Sequence, residues 1–290
     1  MTQTLDALTR RMATMQSIRG VVRTMKTLSA VNAAPYEAAA ALIDSYHAAV
    51  LDGLHLLIHA AGFPAPETAI APRAGVAVIF GSDHGLCGGY NETVADAALA
   101  RIGAQDWQIF SVGARLEAAL DARDRPSDPH FQPPASADGI ARLAGEVLVA
   151  LDAAMGPGPD RAVILIHMAA GPEGRAPVIR PLLPLDPDLV RDLAAKPWES
   201  RRLPTLTMDP KALFASLIRN HLFALVFRAA AEAMATENAA RLALMQQAER
   251  AIDERLSELL FATRSARQSD VTNELLDVIA GFEALKKPGA

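Results

Sequence analysis

The sequence predicts a mixed α/β fold, in which two long terminal helices bracket a small sheet. Three observations carry this: a helical apolar period at the N-terminus, short apolar runs alternating with helical patterns in the middle, and a long proline-free stretch at the end.

Residues from about Thr4 to His59 read as helix. Leu5, Leu8, Met12, Met15, Ile18, Val22, Met25 and Leu28 recur at spacings of three or four, the seam of a coiled coil or a narrow apolar stripe. Pro35 removes a backbone donor and crowds the preceding turn, so a kink or a local break is expected there. Beyond it Leu42, Tyr46, Val50, Leu54 and Leu57 continue a helical face. Ala61 to Gly75 is rich in proline and glycine and reads as a loop. The runs Gly75 to Phe80, Trp107 to Gly113 and Ala162 to Met168 are continuous and apolar, as buried strands are. Helical patterns lie between them, near Glu92 to Ile102, Ala114 to Ala122 and Asp138 to Ala154, so a sheet with crossover helices is expected over 75–200. Ala176 to Leu185 can join only as an edge strand, because its prolines cannot serve a central one. Asp192 to Pro210 reads as irregular.

From Lys211 to about Leu285 there is no proline. That is a potential helix on the order of 110 Å long at ~1.5 Å per residue. Asp209 is placed as its N-cap and Pro210 as its first residue. Its seam runs through Met245, Ala248, Ile252, Leu256 and Leu259, then Val271, Leu275, Val278, Phe282 and Leu285. A small sheet cannot cover a helix of that length. Either the segments 1–60 and 210–285 pair as an antiparallel coiled coil projecting from the α/β part, or they form an ordinary bundle packed on the sheet; periodicity leaves both open.

The chain has 290 residues, 51% of them hydrophobic but only 5% aromatic, so its core must be built mainly from Ala, Leu, Val, Ile and Met. A net charge of -5 argues against a dedicated nucleic-acid binder. One cysteine excludes an internal disulfide and a cysteine-built metal site, and fits a reducing compartment. The N-terminus is polar and amphipathic rather than a secretory leader, and no unbroken apolar run reaches the ~18 residues of a membrane span.

Four features invite chemistry. The stretch GSDHGLCGGYN, residues 81–91, follows a strand and precedes a helix, where ligands bind in α/β sheets. Its glycines match neither a phosphate loop nor the dinucleotide fingerprint. Cys87 lacks a base fixed by sequence, so the plain alternative is a tight turn with positive φ at Gly85, Gly88 or Gly89. His55 and His59 have the i, i+4 spacing of metal ligands without a local third ligand, and are read as packing residues. His167, ending an apolar strand, is read as a satisfied core histidine. Arg10, Arg11, Arg19, Arg23 and Lys26 form a basic stripe, either a solvated face or the site of an acidic protein partner.

Four stretches then carry a resemblance: IRGVVRTMKTLSAV (18–31), SDHGLCGGYN (82–91), ATENAARLALMQQA (235–248) and ARQSDVTNELLDVIAG (266–281). In order and spanning nearly the whole chain, they resemble the gamma subunit of F-type ATP synthases. The resemblance implies an antiparallel coiled coil of the terminal helices, taken as 1–60 and 210–285, and a Rossmann-like α/β domain at 75–200. It implies a central rotor shaft inside a hexamer of α and β subunits, with the epsilon subunit and the c-subunit ring as further partners. No catalytic, cofactor or metal site of its own is implied, nor nucleic acid, nor direct membrane insertion; the location implied is peripheral, on the cytoplasmic face of the bacterial inner membrane.

Carried over by position, Met25 and Lys26 lie beside the acidic lever of β. Arg267, Gln268 and Thr272 meet a β loop, with Glu274 nearby. Asp83, Gly85, Gly88 and Gly89 belong to a structural loop. The chain departs from the pattern at VNAAPYEAAA (31–40), where the family carries a basic run, and at His84, where it carries arginine. These departures point to a divergent bacterial variant, such as the Na+-type form of a second operon, with the coupling ion, H+ or Na+, chosen in the c ring. An enzyme with a ligand site at 82–91 and a coiled-coil adaptor are the competing readings.

Overall fold

The computed structural model describes residues 5–61, 74–155, 161–171, 174–198, 202 and 205–286, with side chains up to 282. Most of the loop expected at 61–75, the side chain of Leu285 and the last four residues lie outside the described residues. Among the described residues six α-helices and five strands follow in order, with one short 3-10 helix (Ala137–Gly139) ahead of α4: α1 (Leu5–Ala61), β1 (Ala74–Phe80), α2 (Tyr90–Ile102), β2 (Asp106–Val112), α3 (Ala114–Asp121), β3 (His130–Phe131), α4 (Ile140–Met155), β4 (Ala162–Gly171), β5 (Gly174–Leu183), α5 (Pro187–Ala195) and α6 (Pro210–Lys286). The chain divides into two compact units, one made of residues up to Leu28 with those from Leu242 onward, the other of Ser29–Arg241.

In the second unit the sheet has the order β3-β2-β1-β4-β5. β1 pairs in parallel with both β2 and β4, and β5 closes the edge antiparallel to β4. Pro177 and Pro181 share one parity along β5 and carry no N–H, which blunts that edge against a further strand. Alternation in β1 splits the core. Val76, Val78 and Phe80 face α4 and α6, while Ala77 and Ile79 face α2 and α3. The α6 side is lined by Ala229, Ala230, Ala231 and Ala233, all buried; their small side chains let the helix approach the strands closely. Along α1, Tyr36, Ile43, Val50 and Leu57 are buried at steps of seven.

α6 begins as the sequence predicts, with the Asp209 carboxylate accepting from the Ala212 amide at 3.0 Å. Two expectations need correction. Pro35 lies inside an unbroken helix, so there is no local break. β3 and α5 were not anticipated: β3 is two residues long, too short to show a period, and α5 occupies 187–195, partly inside the segment read as irregular. By mean hydropathy, α1 and α6 each contain an 18-residue window apolar enough to cross a membrane by length and composition (1.2 and 1.3), although neither has an unbroken apolar run. Both helices spend apolar residues on the core, including Leu54, Leu57, Val226 and Met234.

In the first unit the ends of α1 and α6 run antiparallel. Arg19 meets Asp253 at 2.8 Å and Arg23 meets Glu249 at 2.7 Å; both pairs add to 272, which sets Leu5 level with Arg267. Leu8, Val22, Met245, Leu256 and Leu259 are buried in this seam, whereas Ile18 and Leu28, expected in it, are exposed. Two helices cover only a narrow strip of each other, so half of the alternating pattern stays outside. Beyond Arg267, α6 has no described α1 residue opposite it, and Val271, Leu275, Val278 and Phe282 are all exposed.

Candidate functional site

The glycine-rich loop is pinned by its own polar residues. The Ser82 amide donates to Asn91 Oδ1 at 2.9 Å, and Asn91 Nδ2 donates to Ser82 Oγ at 2.8 Å, which ties the end of β1 to the first turn of α2. Asp83 Oδ1 accepts from the Ala114 amide at 3.2 Å and so supports the start of α3. Positive φ occurs at Gly88 (73°) and at Leu86 (62°), but not at Gly85 or Gly89, so the expected left-handed glycine is Gly88 alone. Gly113, unmarked by the sequence reading, has φ 105°, and a Cβ there would stand 2.6 Å from the Ser82 backbone. The loop and the β2–α3 turn therefore interlock at the backbone.

Helix α6 holds the loop from the other side. Arg241 donates to the Glu237 carboxylate at 2.6 Å and to the carbonyls of His84 and Gly85 at 3.2 and 3.3 Å. Tyr90 Oη donates to the Ala233 carbonyl at 2.9 Å. Burial raises the Glu237 carboxyl above its usual range, and the attraction of Arg241 only partly offsets this. Burial also pushes the Cys87 thiol up, the opposite of an activated nucleophile. Cys87 Sγ lies 3.5 Å from Ser82 Oγ and acts as packing within the turn.

His55 Nδ1 and His59 Nε2 donate to the carbonyls of Leu193 and Lys196 at 2.8 and 3.0 Å, and both rings lie against Trp198. They tie α1 to the end of α5. His167 is fully buried and its Nε2 donates to Glu232 at 2.8 Å, while its Nδ1 has no partner among the described residues, so it is only half satisfied there. Burial acts to raise the Glu232 carboxyl, but hydrogen bonds from His167 and Arg228 outweigh it and hold the group at about 2.

At the helix ends the basic stripe meets carboxylates of the same chain. Arg10 pairs with Asp6, Arg19 with Asp253, and Arg23 and Lys26 both with Glu249, at 2.7 and 2.5 Å. Those last two hydrogen bonds, Lys26 first, hold the Glu249 carboxyl below the usual range. Met25 is half-buried beside Lys26. Arg267, Gln268, Thr272 and Glu274 are all exposed, and Thr272 Oγ1 donates back to the Gln268 carbonyl at 2.9 Å. The loop residues and the helix-end residues thus fall in separate compact units.

The sequence profile of the family described as ATP synthase matches residues 4–285. The chain belongs to that family, in its gamma-subunit line. Among solved structures, a chain of the Euglena gracilis mitochondrial ATP synthase rotor in rotational state 1 is 15% identical with a TM-score of 0.63, the match covering 92% of this chain and 98% of that one. A chain from the Tetrahymena thermophila mitochondrial ATP synthase central stalk and c-ring is 17% identical at a TM-score of 0.56, covering 79% and 99%. A chain of the Euglena gracilis OSCP/F1/c-ring assembly is 16% identical at 0.57, covering 93% and 97%. At these identities the likeness is one of fold, and it extends over nearly the full length of each matched chain.

Sequence reasoning missed Glu237, Arg241, Asp253 and Glu249 as the residues that fix the loop and the coil register. The i, i+4 spacing of Glu237 and Arg241 was a usable signal. The two coil carboxylates had none without knowledge of the register.

Proposed function

We propose that this chain is the central rotor shaft of an F-type ATP synthase, coupling ion flow through a membrane ring to conformational changes at catalytic sites on β subunits. Family membership over residues 4–285 supports this. The single observation in the chain's own geometry that carries it is the exposed apolar end of α6, which has no partner among the described residues. Val271, Leu275, Leu276, Val278, Ile279 and Phe282 are all exposed on one helix end. Such a surface calls for an enclosing apolar partner. A surrounding α and β hexamer supplies one, and a shaft whose sides differ presents a different face to each β. Rotation then exchanges the β conformations through differential contacts.

Within this reading Met25, Lys26, Arg267, Gln268, Thr272 and Glu274 are the proposed β contacts. Lys26 is already paired with Glu249, so an acidic β segment reaching it shares its ammonium with Glu249. The epsilon subunit and the c ring are the proposed partners of the sheet-bearing part, on the cytoplasmic face of a bacterial inner membrane. Many Ala, Leu and Met side chains and few aromatics suit a bearing that favours no single angle. The test is co-expression with the α and β subunits of the same organism, followed by size exclusion and an ATPase assay. One copy per three αβ pairs, with ATPase that depends on this chain, is the expected result; a chain that stays free overturns the reading.

A further inference from the structure

Helix α6 meets the sheet largely through alanines, Ala229, Ala230 and Ala233 among them, in one core with Val78, Phe80 and Leu165. Apolar contact is non-directional, and alanine methyls interlock shallowly. Such a face holds the helix down but fixes its angle about its own axis only loosely. A turn of α6 by about 20° carries a side-chain tip about 2 Å around the helix rim. Methyl contacts survive that, whereas a hydrogen bond of about 3 Å is broken.

Glu232 supplies the missing direction. Its Oε2 accepts from His167 Nε2 on β4 at 2.8 Å and from Arg180 Nη2 on β5 at 3.1 Å. Its Oε1 accepts from Arg228 Nε, one turn earlier on α6, at 2.7 Å, and Arg228 Nη1 donates onward to Asp44 of α1 at 2.9 Å. His167 stands opposite Val178, two residues from Arg180, so both donors rise from one face of neighbouring strands. The Glu232 side chain is only 17% exposed. Burial raises its carboxyl, yet the bonds it accepts hold it at about 2, so it is ionised at neutral pH. Charge-assisted bonds partly shielded from water outlast exposed pairs. Tyr90 and Thr236 add bonds to the carbonyls of Ala233 and Met168. Among the described residues only Glu232 joins α6 to two strands and, through Arg228, to α1.

We propose that Glu232 is a positioning residue of the rotor: it locks the angular setting of α6 on the sheet, so that a twist applied to the sheet-bearing part turns α6 with it. The mechanical half of this inference rests on the rotor-shaft reading above; the lock itself does not.

The lock is tested on the full chain with Cys87→Ser and spin labels at Ser216→Cys on α6 and Ala176→Cys on β5, both exposed positions. Glu232→Gln should shift or broaden the label distance by about 2 Å or more. Arg180→Gln, which removes one strand link, should do so to a smaller degree. Thermal melts check folding; should Glu232→Gln fail to fold, Arg180→Gln decides. The mechanical role is tested in the assembled enzyme in vesicles, pumping ions against a rising opposing gradient. Glu232→Gln should keep its ATPase activity but lose pumping at the steeper gradients. Val226→Ala thins the same interface without touching a polar bond and should keep both, which separates the lock from mere loss of stability. Unchanged label distances in the folded variants overturn the lock. Changed distances with pumping intact at every gradient, or equal loss in Val226→Ala, overturn its mechanical role. An unaltered chain that supports no pumping overturns the rotor reading instead.

Discussion

His47 Nε2 and His221 Nδ1 lie 2.9 Å apart, so one ring donates and the other must accept, which requires a neutral imidazole. Burial, and then the neighbouring His47, lower His221 from 6.5 to about 4; burial and Arg228 lower His47 against the pull of Asp44. The folded chain therefore binds fewer protons here than the unfolded one. Stability from this pair is complete above the ordinary histidine value and is lost as pH falls toward about 4. Histidine ring NMR should show His221 neutral from pH 8 to pH 5; titration near its ordinary value would sink the argument. Arg241 belongs to the same scale. Removing it by Arg241→Ala leaves the buried Glu237 carboxyl without its cation, at a cost of about 3–5 kcal/mol in denaturant melts. The double change with Glu237→Gln should cost less than that single change, because no buried charge is then left alone.

Helices α1 and α6 show how period becomes packing. The seam residues Leu8, Val22, Leu256 and Leu259 are buried, but the ion pairs at Arg19 and Arg23 decide which turn meets which. Leu256→Ala should destabilise this unit by about 2–4 kcal/mol. Hydrogen exchange should quicken in residues 5–28 and 242–267 while β1 and β4 keep their protection; equal quickening in the strands would show that the two units open together. Glu249→Gln frees Arg23 and Lys26 and should leave the melting temperature little changed, since these are partly exposed pairs. In the assembled enzyme it should shift the salt dependence of ATPase activity, because Lys26 then faces β without the competing charge of Glu249. Unchanged salt dependence would count against Lys26 as a β contact. The strands were legible from apolar runs and α6 from its lack of proline. β3 was not, because its pairing with β2 depends on where the chain returns and not on its own two residues.

For the whole molecule, the end of α6 is the decisive feature. Truncation after Phe261 removes the exposed apolar end and leaves the unit Ser29–Arg241 untouched. The truncated chain should fold and assemble with α and β but lose ATP-driven ion pumping in vesicles; normal pumping would show that the C-terminal contacts are dispensable. The family motifs, the strand–helix alternation and the proline-free run all lie in consecutive residues, and local period and backbone chemistry are enough to read them. By itself, then, the sequence determined the family, the mixed α/β class and the two long helices. Only the tertiary structure decided that Arg241 and Glu237 hold the loop and that Glu249 occupies Lys26. The contacts of Arg241 with the loop and of Lys26 with Glu249 depend on residues far apart in the chain being brought within a few ångströms, and one turn of register in α6 would exchange those partners.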